Sequence, residues 1–217
     1  MCGIDFSGLE LRVLSHFLAI FDNGDFSKRL LEDDIHTANQ KAVGLSTRSE
    51  AKRFIYAYIY GCGNTKLGEI LNVSDTEAKE IRFKFEKSLP ALKTLVDAVK
   101  TKFKTTGWIK GLDGRRLIPK AEYSALNTLI QSAGALIVKQ GTIILNKELH
   151  KAGFVWGKDY AMVLHIHDEM QFYVNKNKIE QFKIIAKSIF GKTQDFFKFR
   201  TKLDGEIKVG LNWSDTH

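Results

Sequence analysis

At 217 residues, with 44% hydrophobic and 11% aromatic content, the chain is long enough for one substantial core, or one core with a small subdomain, and its composition excludes disorder as the default. No stretch reaches the roughly 18 to 20 uninterrupted apolar residues of a membrane span, and Asp5 and Glu10 follow Met1 without a basic and then apolar leader; no membrane association and a cytoplasmic location, bacterial or in an infected host, are expected. Two cysteines, Cys2 and Cys62, exclude a disulfide framework, and the net charge of +8 is uneven: residues 1–40 hold three Lys/Arg against seven Asp/Glu, residues 41–120 seventeen against eight, and residues 121–217 thirteen against ten. A cationic middle beside an acidic start suits a polyanion held by one part and metal cations by another, although a lysine-rich solvated surface accounts for the charge equally well.

The first element is a short strand, Gly3-Ile4-Asp5-Phe6, which leaves Asp5 at a strand end. From Ser7 the apolar positions Leu9, Leu11, Val13, Leu14, Phe17 and Leu18 change to a helical rhythm, with Ser7 and Glu10 at capping-box spacing. Residues 33–44 read as a short helix entered from an acidic cap. A longer helix starts near Thr47 and stops at Gly61 and Gly63, and a second one ends near Asn72. Asp75 to Ser88, capped by Ser74, and 91–105, after a break at Pro90, are further helices.

The insert TTGWIKGLDGRRLIPK combines Thr106-Gly107, Asp113-Gly114 and Pro119 with short strand-like runs, which predicts a hairpin or loop pair. Residues 124–150 form a long helix with a nearly continuous apolar wall. Strands 160–166 and 170–174 follow, joined at His167-Asp168-Glu169, then a helix over 177–190 and a final strand in FRTKLDGEIKVGLNWSDTH.

Chemistry-bearing residues fall into three groups. Arg48, Lys52, Tyr56 and Tyr60 recur every four residues before Gly61, so two cations and two phenols share one helix face. An anion bridging the cations would relieve a like-charge penalty of about 0.2 to 0.5 kcal/mol, and His36 is a candidate third contact. A solvated cation pair beside core aromatics is the bland reading of the same stripe.

Asp5 and Asp168, each at a strand end, could hold hard divalent ions with a backbone carbonyl, plausibly that of Phe6, and substrate phosphates; alone, each reads equally as a turn residue. His165 and His167 invite zinc, but further ligands at zinc spacing are missing, and His165 is expected to pack within its strand. Asn127 and Gln131 share a helix face and could contact bases, sugars or backbone, or could simply be a satisfied surface pair. Arg115 and Arg116 form a cationic loop tip suited to phosphates.

Three segments carry a resemblance that spans nearly the whole chain in collinear order. DFSGLELRVLSHF resembles motif A of family A DNA polymerases, RSEAKRFIYAYIYG their motif B fingers helix, and LHIHDEMQF their motif C hairpin. DIHT, WIKGLDGRR, ALNTLIQSAGALI and the final NWSDTH are also similar to this family, most closely to replicative polymerases of short-tailed, T-odd-type bacteriophages.

The resemblance implies an α+β fold: palm with antiparallel strands plus helical fingers, divided as 1–32 (palm with motif A), 33–123 (fingers and the turn-rich segment) and 124–217 (C-terminal palm). It implies template-directed nucleotidyl transfer with two Mg²⁺ ions, or Mn²⁺ as substitute, held by Asp5, Asp168 and the Phe6 carbonyl. Arg48, Lys52 and His36 would hold the triphosphate of a deoxynucleotide, Lys52 as proton donor to pyrophosphate. Tyr56 and Glu10 would close the space of a ribose 2′ hydroxyl, and a tyrosine at position 56 is associated in this family with acceptance of dideoxynucleotides.

Tyr60 and Gly61 would lie near the templating base. Arg115, Asn127 and Gln131 would contact primer-template DNA, and His167 the primer end, with Glu169 an accessory catalytic carboxylate. The thumb and an acidic exonuclease cluster are missing from the segments matched. A truncated reading frame, an expressed fragment and a naturally split polymerase each account for this start; the natural split, completed by an N-terminal fragment with a thumb and an optional exonuclease, is the favoured expectation, Cys2 being compatible with an intein junction. A catalytically silent nucleic-acid-binding fragment and an unrelated phosphohydrolase are the competing functions; neither explains the Arg48 to Tyr60 stripe together with Asp5 and Asp168.

Overall fold

The computed structural model describes residues 1–217. Strand β1 (Cys2–Asp5) leads into α1 (Leu9–Asp22), α2 (Asp25–Glu32), α3 (Ile35–Val43), α4 (Arg48–Ile59), α5 (Asn64–Leu71), α6 (Asp75–Ser88) and α7 (Pro90–Thr106). A two-stranded hairpin, β2 (Ile109–Lys110) and β3 (Arg116–Leu117), precedes the long α8 (Ala125–Lys151), and β4 (Tyr160–Ile166), β5 (Glu169–Val174), α9 (Ile179–Phe197) and β6 (Glu206–Val209) complete the chain. Two compact units result: Met1–Val13 with Ser132–His217, and Leu14–Gln131, so α1 and α8 each contribute to both.

The first unit is built on a sheet of order β4-β5-β1-β6 with antiparallel pairing throughout. Alternation along the strands sorts the side chains: Cys2, Ile4, Met170, Phe172 and Val174 are buried on one face, while Gly3, Asp5, Glu169 and Gln171 share the other. On the apolar face, Thr142 of α8 donates to the Met170 sulfur at 2.9 Å, Phe172 meets Phe182 of α9 at 5.5 Å between ring centroids, and Phe6 meets Phe190 edge-on at 4.9 Å. Gly141 of α8 must lack a side chain, since a Cβ there would lie 2.9 Å from the Phe6 ring. On the polar face, residues 211–217 fold across the strands and bond to Glu169 and Gln171.

In the second unit local signals set the helix starts. Asp34 caps α3 by accepting from the His36 and Thr37 amides, and Thr47 with Glu50 and Ser74 with Glu77 form capping boxes for α4 and α6. Pro90 occupies the first turn of α7 rather than a break ahead of it, where its missing N–H costs nothing. Phe54, Tyr58 and Phe85 form the aromatic centre, with Phe54 and Phe85 edge-on at 4.9 Å and the Tyr58 hydroxyl donating to Glu86.

Several boundaries differ from the expected ones. Asp22 accepts from the amides of Gly24 and Phe26 and starts α2, which the periodicity alone did not separate. Helix α9 runs through Gly191 to Phe197 instead of stopping near 190, because Ile189, Phe190 and Thr193 are buried on one continuous face. Strand β5 begins at Glu169 rather than 170, leaving a two-residue turn. His165 is exposed, not packed: it lies on edge strand β4, where a bulge between Met162 and Leu164 sets it opposite Met170. Residues 122–151 form one helix long and apolar enough to cross a membrane by length and composition alone, although Ala133, Ile137, Val138, Leu145 and Leu149 are buried within the sheet unit.

Candidate active site

The sheet unit brings Asp5 and Asp168 to one end. Asp5 closes β1 opposite Glu169 on β5 and Glu206 on β6, and the next amide, that of Phe6, donates to the Asp168 carbonyl at 3.1 Å. Asp168 sits in the two-residue turn between β4 and β5, preceded by His167 at φ 50. Positive φ is the conformation that a two-residue hairpin turn calls for, although it is uncommon for a non-glycine residue.

Strand β6 approaches closely because Gly205 has no Cβ, which would overlap the Asp5 carbonyl oxygen and the Phe190 ring. The Ser7 amide then donates to the Asp204 carbonyl, and Arg12 of α1 donates to the Ser7 carbonyl at 2.7 Å. The chain is thereby pinned on both sides of Asp5 and Phe6.

Burial, and then repulsion from Asp168, Glu169 and Glu206, pushes the Asp5 carboxyl up to about 6, with Lys208 opposing. Such crowding is what a divalent cation would relieve. No three His, Cys, Asp or Glu side chains converge into a ready-made metal cage. Two carboxylates beside backbone carbonyls still fit Mg²⁺, which retains waters and shares its shell with substrate phosphates.

Glu169 is differently engaged: its carboxylate accepts from Gln171 and Trp213 and pairs with His217 Nδ1 at 2.5 Å. Burial works to raise its pKa, but these bonds outweigh burial and hold it below the usual range. Glu206, Lys208, Trp213 and His217 therefore belong to the surroundings of the acidic pair. Sequence reasoning assigned none of them a role, and the alternation of Glu206 and Lys208 along β6 was the only local signal.

The helical unit brings together the stripe on α4 and His36 of α3. Arg48, Lys52 and Tyr56 follow one another along α4, Tyr60 caps its C-terminus, and the rings of Tyr56 and His36, and of Tyr56 and Tyr60, lie 6.5 Å apart. Arg48 Nε bonds to Asp34 Oδ2 at 2.6 Å, so the capping carboxylate of α3 occupies the guanidinium. Hydrogen bonds from Arg48 and Thr37 hold Asp34 well below the usual carboxylate range. Burial, and then Arg48 and Lys52, lower the His36 pKa against the opposing pull of Asp34.

Gly61 has a structural reason to be glycine: φ is 76°, and a Cβ would overlap the Tyr123 carbonyl. Arg115, in the β2–β3 turn, is paired with Asp113 at 2.6 Å, while Arg116 and Lys102 lie 4.8 and 4.7 Å from the Trp108 ring centre. Asn127 is half-buried with its Oδ1 unpartnered, and Gln131 is exposed one turn further along α8. Glu10 lies in the first turn of α1, which is entered through Gly8 in the left-handed region.

A family model described as DNA polymerase family A matches residues 1–215. The chain is 40% identical to a DNA-directed DNA polymerase of Enterobacteria phage T3 and 40% identical to one of Escherichia phage T7, in each case over 99% of its own length. It covers 33% of each of these relatives, about a third of their length. Its fold matches the POL domain of Pol1 from M. smegmatis, solved in complex with DNA primer-template and dNTP, with TM-score 0.85 at 20% identity, over all of this chain and 40% of that one. The mixed fold of antiparallel sheet and helical region is thus that of a polymerase palm and fingers.

Proposed function

The chain belongs to DNA polymerase family A, and from that premise we propose that it is the fingers and C-terminal palm of a DNA-directed DNA polymerase, adding deoxynucleotides to a primer 3′ end under template direction. The observation that carries this reading is the crowding of Asp5 against Asp168 at one sheet end, with Asp5 pushed up to about 6. Asp5, Asp168 and the Phe6 carbonyl would hold two Mg²⁺ ions, with Mn²⁺ as a substitute. Bound there, the ions would neutralise the triphosphate and acidify the primer hydroxyl.

The remaining roles belong to the chain's own side chains. Arg48 and Lys52 bind the triphosphate, Arg48 exchanging Asp34 for phosphate, and Lys52 supplies a proton to the departing pyrophosphate. His36 donates one ring N–H to a phosphate oxygen. Tyr56 packs against the incoming sugar and, with Glu10, excludes a 2′ hydroxyl, while Tyr60 and Gly61 adjoin the templating base. Arg115, Asn127 and Gln131 contact the primer-template duplex, and His167 the primer end.

The chain spans about a third of the length of its phage relatives, and in this reading a thumb-bearing segment, on the same chain or a separate one, works with it. Unpaired edge strand β4, with Val163 exposed, is consistent with such association. Primer extension in Mg²⁺, by the chain alone and together with a family A thumb-bearing fragment, tests the proposal. Template-directed addition by either supports it; salt-sensitive DNA binding with no addition in both would replace it by a silent binding fragment.

A further inference from the structure

Glu169 is joined to Asp168 by one peptide bond and stands opposite Asp5 in the β1–β5 ladder, yet both of its oxygens are committed elsewhere. Oε1 accepts from Gln171 Nε2 at 2.5 Å and from Trp213 Nε1 at 2.9 Å, and Oε2 lies 2.5 Å from His217 Nδ1. Two of these three partners come from segment 211–217, more than forty residues away in sequence.

That segment is built to stay in place. Asp215 Oδ2 accepts from the Leu211 amide at 2.8 Å, folding the segment on itself, and the rings of Trp213 and His217 lie 5.4 Å apart. Thr216, buried, donates to Gln171 Oε1 at 2.8 Å, and a Cβ on Gly3 would come within 2.5 Å of the Thr216 carbonyl oxygen. Lys208 Nζ donates to the His217 carbonyl at 3.1 Å. Asp5, Glu169, Glu206, Lys208 and His217 line a cavity of about 230 Å³, so segment 211–217 forms a wall of the space that Asp5 faces.

We propose that segment 211–217 is a positioning element for the acidic pair: through Trp213 and His217 it ties up both oxygens of Glu169, so that two carboxylates rather than three are available to divalent ions. The inference rests on the reading of Asp5 and Asp168 as the metal-holding pair. A free third carboxylate would add a negative oxygen ligand beside Asp5 and Asp168 and compete with substrate oxygens for the ion. The affinity of an oxygen-ligand cation site rises with the number of carboxylates in its shell, so release of Glu169 tightens binding.

The test uses the full chain and Mn²⁺ alone, with binding read by electron paramagnetic resonance. His217→Ala binds Mn²⁺ about tenfold tighter than the unaltered chain, while primer extension, where the chain supports it, falls. His217→Ala combined with Glu169→Gln returns Mn²⁺ affinity to within about twofold of the unaltered chain, and His217→Asn, which keeps a donor, rescues in part. Unchanged affinity in His217→Ala, a shift that persists in the double variant, or weakening by Glu169→Gln as large as that by Asp168→Asn would overturn the proposal.

If neither Asp5→Asn nor Asp168→Asn weakens Mn²⁺ binding, the metal reading of the acidic pair fails instead. The anchor is then judged by thermal unfolding of the Glu169→Gln and His217→Ala cycle. Non-additive losses support it, and additive ones overturn it.

Discussion

Replacing Asp5 with asparagine should make the metal-free chain more stable at neutral pH while removing its activity. The Asp5 carboxyl is pushed from 3.8 up to about 6 by burial and by Asp168, Glu169 and Glu206. The folded chain therefore holds a proton at pH values where the unfolded chain has released it. Stability falls as pH rises from about 4 to about 6 and the full penalty stands above that window. At about 1.4 kcal/mol per pKa unit the ceiling is about 3 kcal/mol. Because the carboxyl is only partly buried and solvent screens its neighbours, about 1 to 2 kcal/mol is the expected gain for Asp5→Asn.

In a chain of this size that gain raises Tm by about 2 to 8 °C. The assay is thermal and urea unfolding in chelator at pH 7.5, 5 and 4. The advantage of the variant should be greatest at pH 7.5 and close to zero at pH 4, and Mg²⁺ should stabilise the unaltered chain alone. No advantage at pH 7.5, or one that does not shrink with acid, would refute the account of the acidic cluster.

Asp34→Ser keeps a capping oxygen for α3 but releases Arg48 from its carboxylate, so the nucleotide KM should fall in steady-state extension by the assembled enzyme. Arg48→Ala should raise the same KM by about tenfold or more, as expected for loss of a charge-assisted bond. Gly61→Ala should destabilise the chain by about 2 kcal/mol or more, because a left-handed backbone and overlap with the Tyr123 carbonyl coincide there; differential scanning calorimetry reads this without reference to activity. Tyr56→Phe should lower incorporation of dideoxynucleotides relative to deoxynucleotides by about tenfold or more, measured by competition in a sequencing ladder.

What could be read in the sequence was local. The β4–β5 hairpin was visible as two apolar runs around His167 and Asp168, and the starts of α3, α4 and α6 were visible because Asp34, Thr47 and Ser74 bond to amides two or three residues away. The four-residue spacing from Arg48 to Tyr60 was likewise sufficient to place one stripe on α4. Pairings across long stretches of chain were not legible. Nothing near Glu169 announces His217 or Trp213 as partners, and nothing near Asp5 announces Glu206, because β6 reaches β1 only after some two hundred residues.

The four-residue spacing that set Arg48 beside Lys52 gave no sign of Asp34, fourteen residues earlier, which pairs with Arg48. His165 was expected to pack within its strand, but β4 is an edge strand and leaves it exposed. In Gly61 the sequence suggested a contact with DNA, while the structure supplies an independent steric need for glycine.

The central claim is that Asp168 and Asp5 hold the ions for nucleotidyl transfer, and single-nucleotide addition by an Asp168→Ala chain tests it most directly. With Mg²⁺, a primer-template, the matching deoxynucleotide and any required thumb-bearing fragment, the rate should fall by about a thousandfold or more, while salt-dependent DNA binding persists. Addition at the rate of the unaltered chain would contradict the account.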